Sequence, residues 1–189
     1  MLIHELKFYP DVIVCSETRK INIELYKIPG YTAYYNQGNI NQNDGLITYI
    51  KSELEQNHLV EMIGPIAINY NTVKKYNSTF DIYAIYKSPK INDRDFVNNL
   101  NDFLNKYKKY GHEKILIGDI NINIMEDSTI AMEYMNTLAT YGFISTITKP
   151  TRTTHNSSSC IDHCFVKTKI TTNDIVAGVI NTKIMIMTQ

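Results

Sequence analysis

Short apolar runs broken by turn residues dominate the chain, and two longer stretches carry apolar residues at spacings of three and four. Residues 11–15 (DVIVC) are a continuous apolar run, the mark of a buried strand. Residues 28–38 hold turn signals and then an aromatic strand. Residues 45–50 (GLITYI) form another, entered through the turn signal Asn43-Asp44-Gly45. Residues 59–70 read as one or two strands broken near Gly64-Pro65, and residues 79–86 (TFDIYAIY) alternate and are rich in β-formers. From about Asn92 to Tyr110 the pattern is helical: Phe96, Leu100, Phe103, Leu104 and Tyr107 share a face, with Asn92 or Asp93 as cap. Residues 114–118 (KILIG) are a buried strand. Residues 128–141 predict a second helix, capped by Ser128, with Met132, Met135, Leu138 and Ala139 on one face and Gly142 ending it. Residues 160–166 and 174–180 are late strands.

Many strands with few, separated helices predict an α+β fold, a layered α/β sandwich. Its two mostly antiparallel sheets would pack together and be flanked by helices. Regular βαβ alternation is missing, which disfavours a doubly wound fold. At 189 residues the chain is the size of one domain, expected to span residues 1–189. Its 43% hydrophobic and 20% charged residues are ordinary for a globular protein. A net charge of zero removes a whole-chain basic footprint for nucleic acid but allows a local one. The three cysteines give no paired disulfide framework and fit a reducing compartment. Cys15 sits in an apolar run, and Cys160 and Cys164 lack a second pair at zinc spacing. No apolar stretch reaches the ~18 residues of a membrane span, and the N-terminal residues do not form a signal peptide. The expected location is intracellular, cytoplasmic or nuclear.

Polar residues at strand ends hold the candidate chemistry. Asp119 and Asn121 follow the strand KILI and, two residues apart, can face one pocket. There Asp119 could ligate a hard cation and Asn121 could hold a phosphate oxygen or orient a water, or the two could simply make a turn. Glu17 follows DVIVC, placed either as a metal ligand or as a solvated strand end. Tyr86 ends DIYAIY, where its hydroxyl could meet a phosphate. Arg152 and Thr153 lie in a hydroxyl-rich loop suited to phosphate contact. Asp162 and His163 are adjacent, so in a strand they point to opposite faces and cannot form one acid–base pair.

The order of these pieces resembles the endonuclease/exonuclease/phosphatase family. More narrowly, it is similar to the endonuclease domain of jockey-like non-LTR retrotransposon polyproteins, which also carry a reverse transcriptase. The segments that carry the resemblance are DVIVCSET (11–18), DGLITYIKS (44–52), AIYKSP (84–89), IGDININI (117–124), KPTRTTHNSSSCIDHCFV (149–166) and GVINTKI (178–184). The long block at 149–166 is the most specific. The resemblance implies hydrolysis of a DNA phosphodiester with Mg²⁺, or Mn²⁺ in its place. Glu17 would bind the metal and Tyr86 would contact the scissile phosphate. Asp119 would orient or deprotonate the attacking water, with Asn121 as its partner. Asp162 would hold a catalytic histidine, and Arg152 and Thr153 would touch duplex DNA.

The chain departs from the pattern at both ends. The family's first strand, with its metal-binding asparagine, would precede residue 1. Met185, Ile186 and Met187 stand where the family has Ser-Asp-His. The expectation is therefore a fragment truncated at both ends, missing its first and last strands, with weak or no activity. His155 is the one alternative imidazole that could swing in. A non-catalytic nucleic-acid or protein binding module and another phosphoesterase of the same superfamily are the other readings.

Overall fold

A computed structural model describes residues 9–19, 22–38, 44–108, 111–154, 156–169 and 179. The strand expected at 174–180 lies outside these apart from Val179. So do His155 and Met185 to Met187.

The first strands form one small sheet. β1 (Val12–Ser16) and β2 (Tyr31–Asn36) each pair antiparallel with β3 (Leu46–Lys51), in the order β1-β3-β2. Among the described residues the larger sheet has six strands: β4 (Glu55–Ile63), β5 (Ile66–Lys75), β6 (Ser78–Tyr86), β7 (Glu113–Asp119), β8 (Ile144–Ser145) and β11 (Asp162–Lys167). They lie in the order β4-β5-β6-β7-β11-β8. Among the described strands only β6 and β7 run parallel, because α1 (Asp93–Lys106) carries the chain back between them. β9 (Arg152–Thr153) and β10 (Ser158–Ser159) make a separate short hairpin. Gly64-Pro65 does break the apolar stretch, into β4 and β5.

Alternation along β5 and β6 assigns the layers. Ile66, Ile68, Tyr70, Tyr83 and Ile85 pack with both helices in the main core. Val73, Ile82 and Ala84 face the small sheet, against Ile50 and Leu46. With both faces covered, β6 is buried from Asp81 to Tyr86, which is why its sequence is almost continuously apolar. The two sheets are also tied by polar groups, since buried Asn69 donates Nδ2 to Tyr34 O at 2.9 Å and to Thr48 Oγ1 at 3.1 Å.

α1 starts at Asn92, whose Oδ1 accepts from the backbone N of Arg94 and Asp95 at 3.0 and 3.1 Å. Asp93 and Asp95 in its first turn and Lys106 in its last complement the helix dipole. α2 (Thr129–Thr140) is capped by Ser128 and closed by Gly142 at φ +80°. There Phe143 N reaches Leu138 O and Gly142 N reaches Ala139 O, a Schellman stop.

The face expected for α2 is corrected. Ala131, Tyr134 and Leu138 are buried, whereas Met132 is 52% exposed and Ala139 is exposed. The stripe at i, i+3, i+7 is centred on Tyr134, whose ring packs among Phe96, His163 and Phe165. Both helices cover the outer face of the large sheet. Among the described residues, only a 3₁₀ turn (Ile23–Tyr26) accompanies the small sheet, so the helical flank is one-sided there.

Candidate active site

Three neighbouring strands of the large sheet end in polar residues at one rim. Tyr86 of β6 lies opposite Asp119 of β7, and Asp119 lies opposite Asp162 of β11. Glu17 arrives from the other sheet, one residue past β1, and its Oε1 accepts from Tyr86 Oη at 3.3 Å. Between the sheets opens a cleft of about 220 Å³, lined by Val14, Ser16, Ile117, Asp119, Asp162 and Cys164 among others.

The backbone around these groups is specialised. Glu17 and Asn121 adopt φ +54° and +52°, the left-handed region that non-glycine residues seldom enter. Asn121 is held there from two sides: its N donates to Asp119 Oδ1 at 3.2 Å and its Nδ2 to Lys87 O at 2.9 Å. Lys87 N donates to Asp119 O and Ile120 N to Ile161 O, both at 2.9 Å. These bonds join the ends of β6, β7 and β11. Thr151 Oγ1 accepts from the N of Ile161 and Asp162 at 3.2 and 3.1 Å, so the threonine before Arg152 pins the start of β11.

Electrostatics mark Asp119. Burial, the neighbouring Asp162 carboxylate and, more weakly, Glu17 push its pKa up to about 6, against the Asn121 N–H and the charge of Arg152. Burial and the charges of Glu17, Asp119 and Asp44 push the Tyr86 hydroxyl up to about 12, so it stays a protonated donor. Because the folded state raises the Asp119 pKa, its carboxyl favours folding below about pH 4, and that contribution is lost as pH rises through about 6. Asp119→Asn is therefore expected to stabilise the chain by about 1–3 kcal/mol at pH 8 and not at pH 4. Urea unfolding at both pH values measures this; an equal effect at both would contradict it.

Glu17, Tyr86, Asp119, Asn121 and Asp162 are thus brought to one rim, and Arg152 lies close enough for its charge to act on Asp119. Thr153 is the next residue of a two-residue strand paired with Ser158, and alternation points it away from the side that Arg152 takes. His163 does face away from Asp162. It is 2% exposed in the helix layer, with Nδ1 3.1 Å from Tyr134 Oη and Nε2 3.0 Å from Cys160 O, and burial lowers its pKa. Sequence reasoning missed Asp44, read as a turn residue. It is 3% exposed, and its charge reaches Tyr86. Its one signal was a carboxylate immediately before an apolar strand.

The rim donors are oxygens, suited to a hard cation rather than to zinc. Among the described residues no three His, Cys, Asp or Glu side chains close into a metal-binding group. This arrangement fits a cation held by one or two carboxylates and otherwise by water, the habit of Mg²⁺, and does not fit an all-protein cage. Burial is the larger cause of the raised Asp119 pKa, and the part that comes from the Asp162 and Glu17 charges is what such a cation would offset.

No protein-family model matches the chain, and no curated protein matches it. Solved structures do. The endonuclease domain of TRAS1, a telomere-specific non-LTR retrotransposon, superposes with a TM-score of 0.65 at 14% identity, covering 87% of this chain and 75% of that one. An endonuclease/exonuclease/phosphatase family protein from Leptotrichia buccalis gives 0.60 at 16%, over 89% and 79%. D. rerio TDP2 complexed with a single-strand DNA product gives 0.60 at 12%, over 88% and 73%. At such identities the likeness is one of fold: the chain has the layered fold of the endonuclease/exonuclease/phosphatase proteins.

Proposed function

We propose that the chain belongs to the endonuclease/exonuclease/phosphatase family as a retrotransposon-type endonuclease, and that its rim is a centre for hydrolysing DNA phosphodiesters. The observation that supports this most is the convergence of Glu17, Tyr86, Asp119 and Asp162, from four strands of two sheets, at one edge of the sandwich. Glu17, with Asp119 beside it, would hold Mg²⁺ or Mn²⁺. When bound, that ion supplies positive charge to the phosphate oxygens. Ionised Asp119 accepts a proton from the attacking water, Asn121 orients that water, and the Tyr86 hydroxyl donates to a phosphate oxygen. Arg152 adds a cation beside the carboxylates, whereas Thr153, on the other face of the hairpin, would meet DNA only outside the rim.

In this reading activity is weak. Met185, Ile186 and Met187 stand where the resembled family has Ser-Asp-His, and His163 is committed to the helix layer. Loss of one donor to the developing oxyanion costs roughly 10²–10³ in rate. Incubation of supercoiled plasmid with purified chain and Mg²⁺ tests this. The expected result is slow, metal-dependent nicking that is lost in Asp119→Ala. Nicking unchanged in that variant removes Asp119 from the mechanism.

Met185 to Met187 also favour a second reading, a non-catalytic module that binds nucleic acid or protein through the same cleft. A salt-dependent shift of labelled duplex DNA without nicking selects it. Among the described residues no helix is long and apolar enough to cross a membrane.

A further inference from the structure

Lys87 directly follows Tyr86, and alternation sends its side chain to the helix side of the sheet. The side chain is completely buried there, at 0% exposure. Its Nζ lies 2.6 Å from Asp93 Oδ1 in the first turn of α1 and 5.9 Å from the centre of the Phe96 ring; the contact to Asp93 is a charge pair whose angles fall short of a hydrogen bond. A buried ammonium is costly, and a buried ion pair is weak evidence for stability in itself. The main chain of the same residue grips the rim twice. Lys87 N donates to Asp119 O, and Lys87 O accepts from Asn121 Nδ2, each at 2.9 Å. A carbonyl can only accept, so the amino end of the Asn121 amide must face Lys87, and Oδ1 is turned away from it as an acceptor.

We propose that Lys87 is the positioning residue of this site. Its ion pair with Asp93 clamps the 87–88 peptide, and that peptide fixes the left-handed Asn121 and sets which end of its amide is presented. Without the clamp, Asn121 could leave its unfavourable φ and reverse its amide, and the Asp119–Asn121 turn would lose its outer support. The catalytic consequence rests on the reading above; the geometry does not.

The test is therefore made on the Asn121 side-chain amide, by NMR of the ¹⁵N-labelled chain, with the signal assigned from its loss in Asn121→Ala. In the unaltered chain one δ-amide proton is expected to be shifted and protected by Lys87 O. Asp93→Asn and Lys87→Met should each collapse that shift and speed its exchange at least tenfold. The double variant should add nothing, because both remove one clamp. Asp93 is 41% exposed, so its variant keeps the test alive should Lys87→Met not fold. Where nicking is measurable, kcat should fall with KM unchanged. A lower urea midpoint with the Asn121 amide unmoved overturns the proposal and leaves a merely structural pair. Absence of nicking in the unaltered chain counts against the nuclease reading alone, since the amide result stands without it.

Discussion

Replacing Asp81 with alanine is expected to remove about 3–5 kcal/mol of folding stability, enough to unfold a marginal domain. Asp81 lies on the helix side of β6, five residues before Tyr86, so roughly 16 Å from the rim. It is 1% exposed and meets four groups. Lys114 Nζ reaches Oδ2 at 2.8 Å, and Tyr70 Oη, Thr72 Oγ1 and His112 Nδ1 each reach Oδ1 at 3.1 Å. Burial alone would raise its pKa, but the bonds and charges of Lys114 and His112 outweigh it, and the carboxyl sits below its ordinary range. A depressed folded pKa means the stabilisation is present above the ordinary carboxylate value of 3.8 and is lost as pH falls below it. The alanine variant leaves Lys114, only 3% exposed, as an uncompensated buried charge and strands two hydroxyls. Urea unfolding at pH 7 measures the loss; a change under about 1 kcal/mol would show that water reaches Lys114 freely. Adding Lys114→Met should recover much of the loss, because an apolar pair can replace a buried ionic one.

Gly118→Ala is expected to be about as damaging, by about 3 kcal/mol or more, for a steric reason. Gly118 lies opposite Ile85 in the parallel pairing of β6 with β7, at φ +147°. A Cβ there would stand 1.8 Å from Ile85 O and 2.8 Å from Ile85 C. Both are backbone atoms of a buried strand and cannot turn aside as a side chain would. The strands must part, one row before Tyr86 and Asp119. Overpacking costs about 1–3 kcal/mol, and a φ open essentially to glycine adds about 1–3. The urea midpoint should fall, and the Asp119 pKa, read by carboxyl NMR, should fall from about 6 as the parted strands admit water. A stable variant with an unmoved Asp119 would mean that the two strands are less tightly apposed than Gly118 requires.

The β-formers of TFDIYAIY and the turn at Gly64-Pro65 made the strands legible in the sequence, because composition and breakers are local properties; the alternation expected at 79–86 does not hold, since both faces of β6 are covered. The rim was legible as well. Glu17, Tyr86, Asp119 and Asp162 each follow or begin an apolar run, and strand ends collect where sheets end. What escaped depends on partners that belong to other elements. Nothing near Lys87 announces that a lysine will be wholly enclosed; that follows from Asp93 and Phe96 arriving on a helix. Asp44 is buried where Gly38, just after β2, comes up against its side chain: a Cβ on Gly38 would stand 2.4 Å from Asp44 Cβ. The face of α2 was misjudged because Met132 fits an apolar stripe as well as Tyr134 does. The choice is made by His163 and Phe165 across the sheet.

The neighbours Asp162 and His163 belong to different halves of the molecule. One looks into the space between the sheets; the other is bolted through its ring to Tyr134 at the centre of α2. A single peptide unit therefore joins the anchor point of a helix to a carboxylate of the rim, so a substitution at either residue bears on both layers.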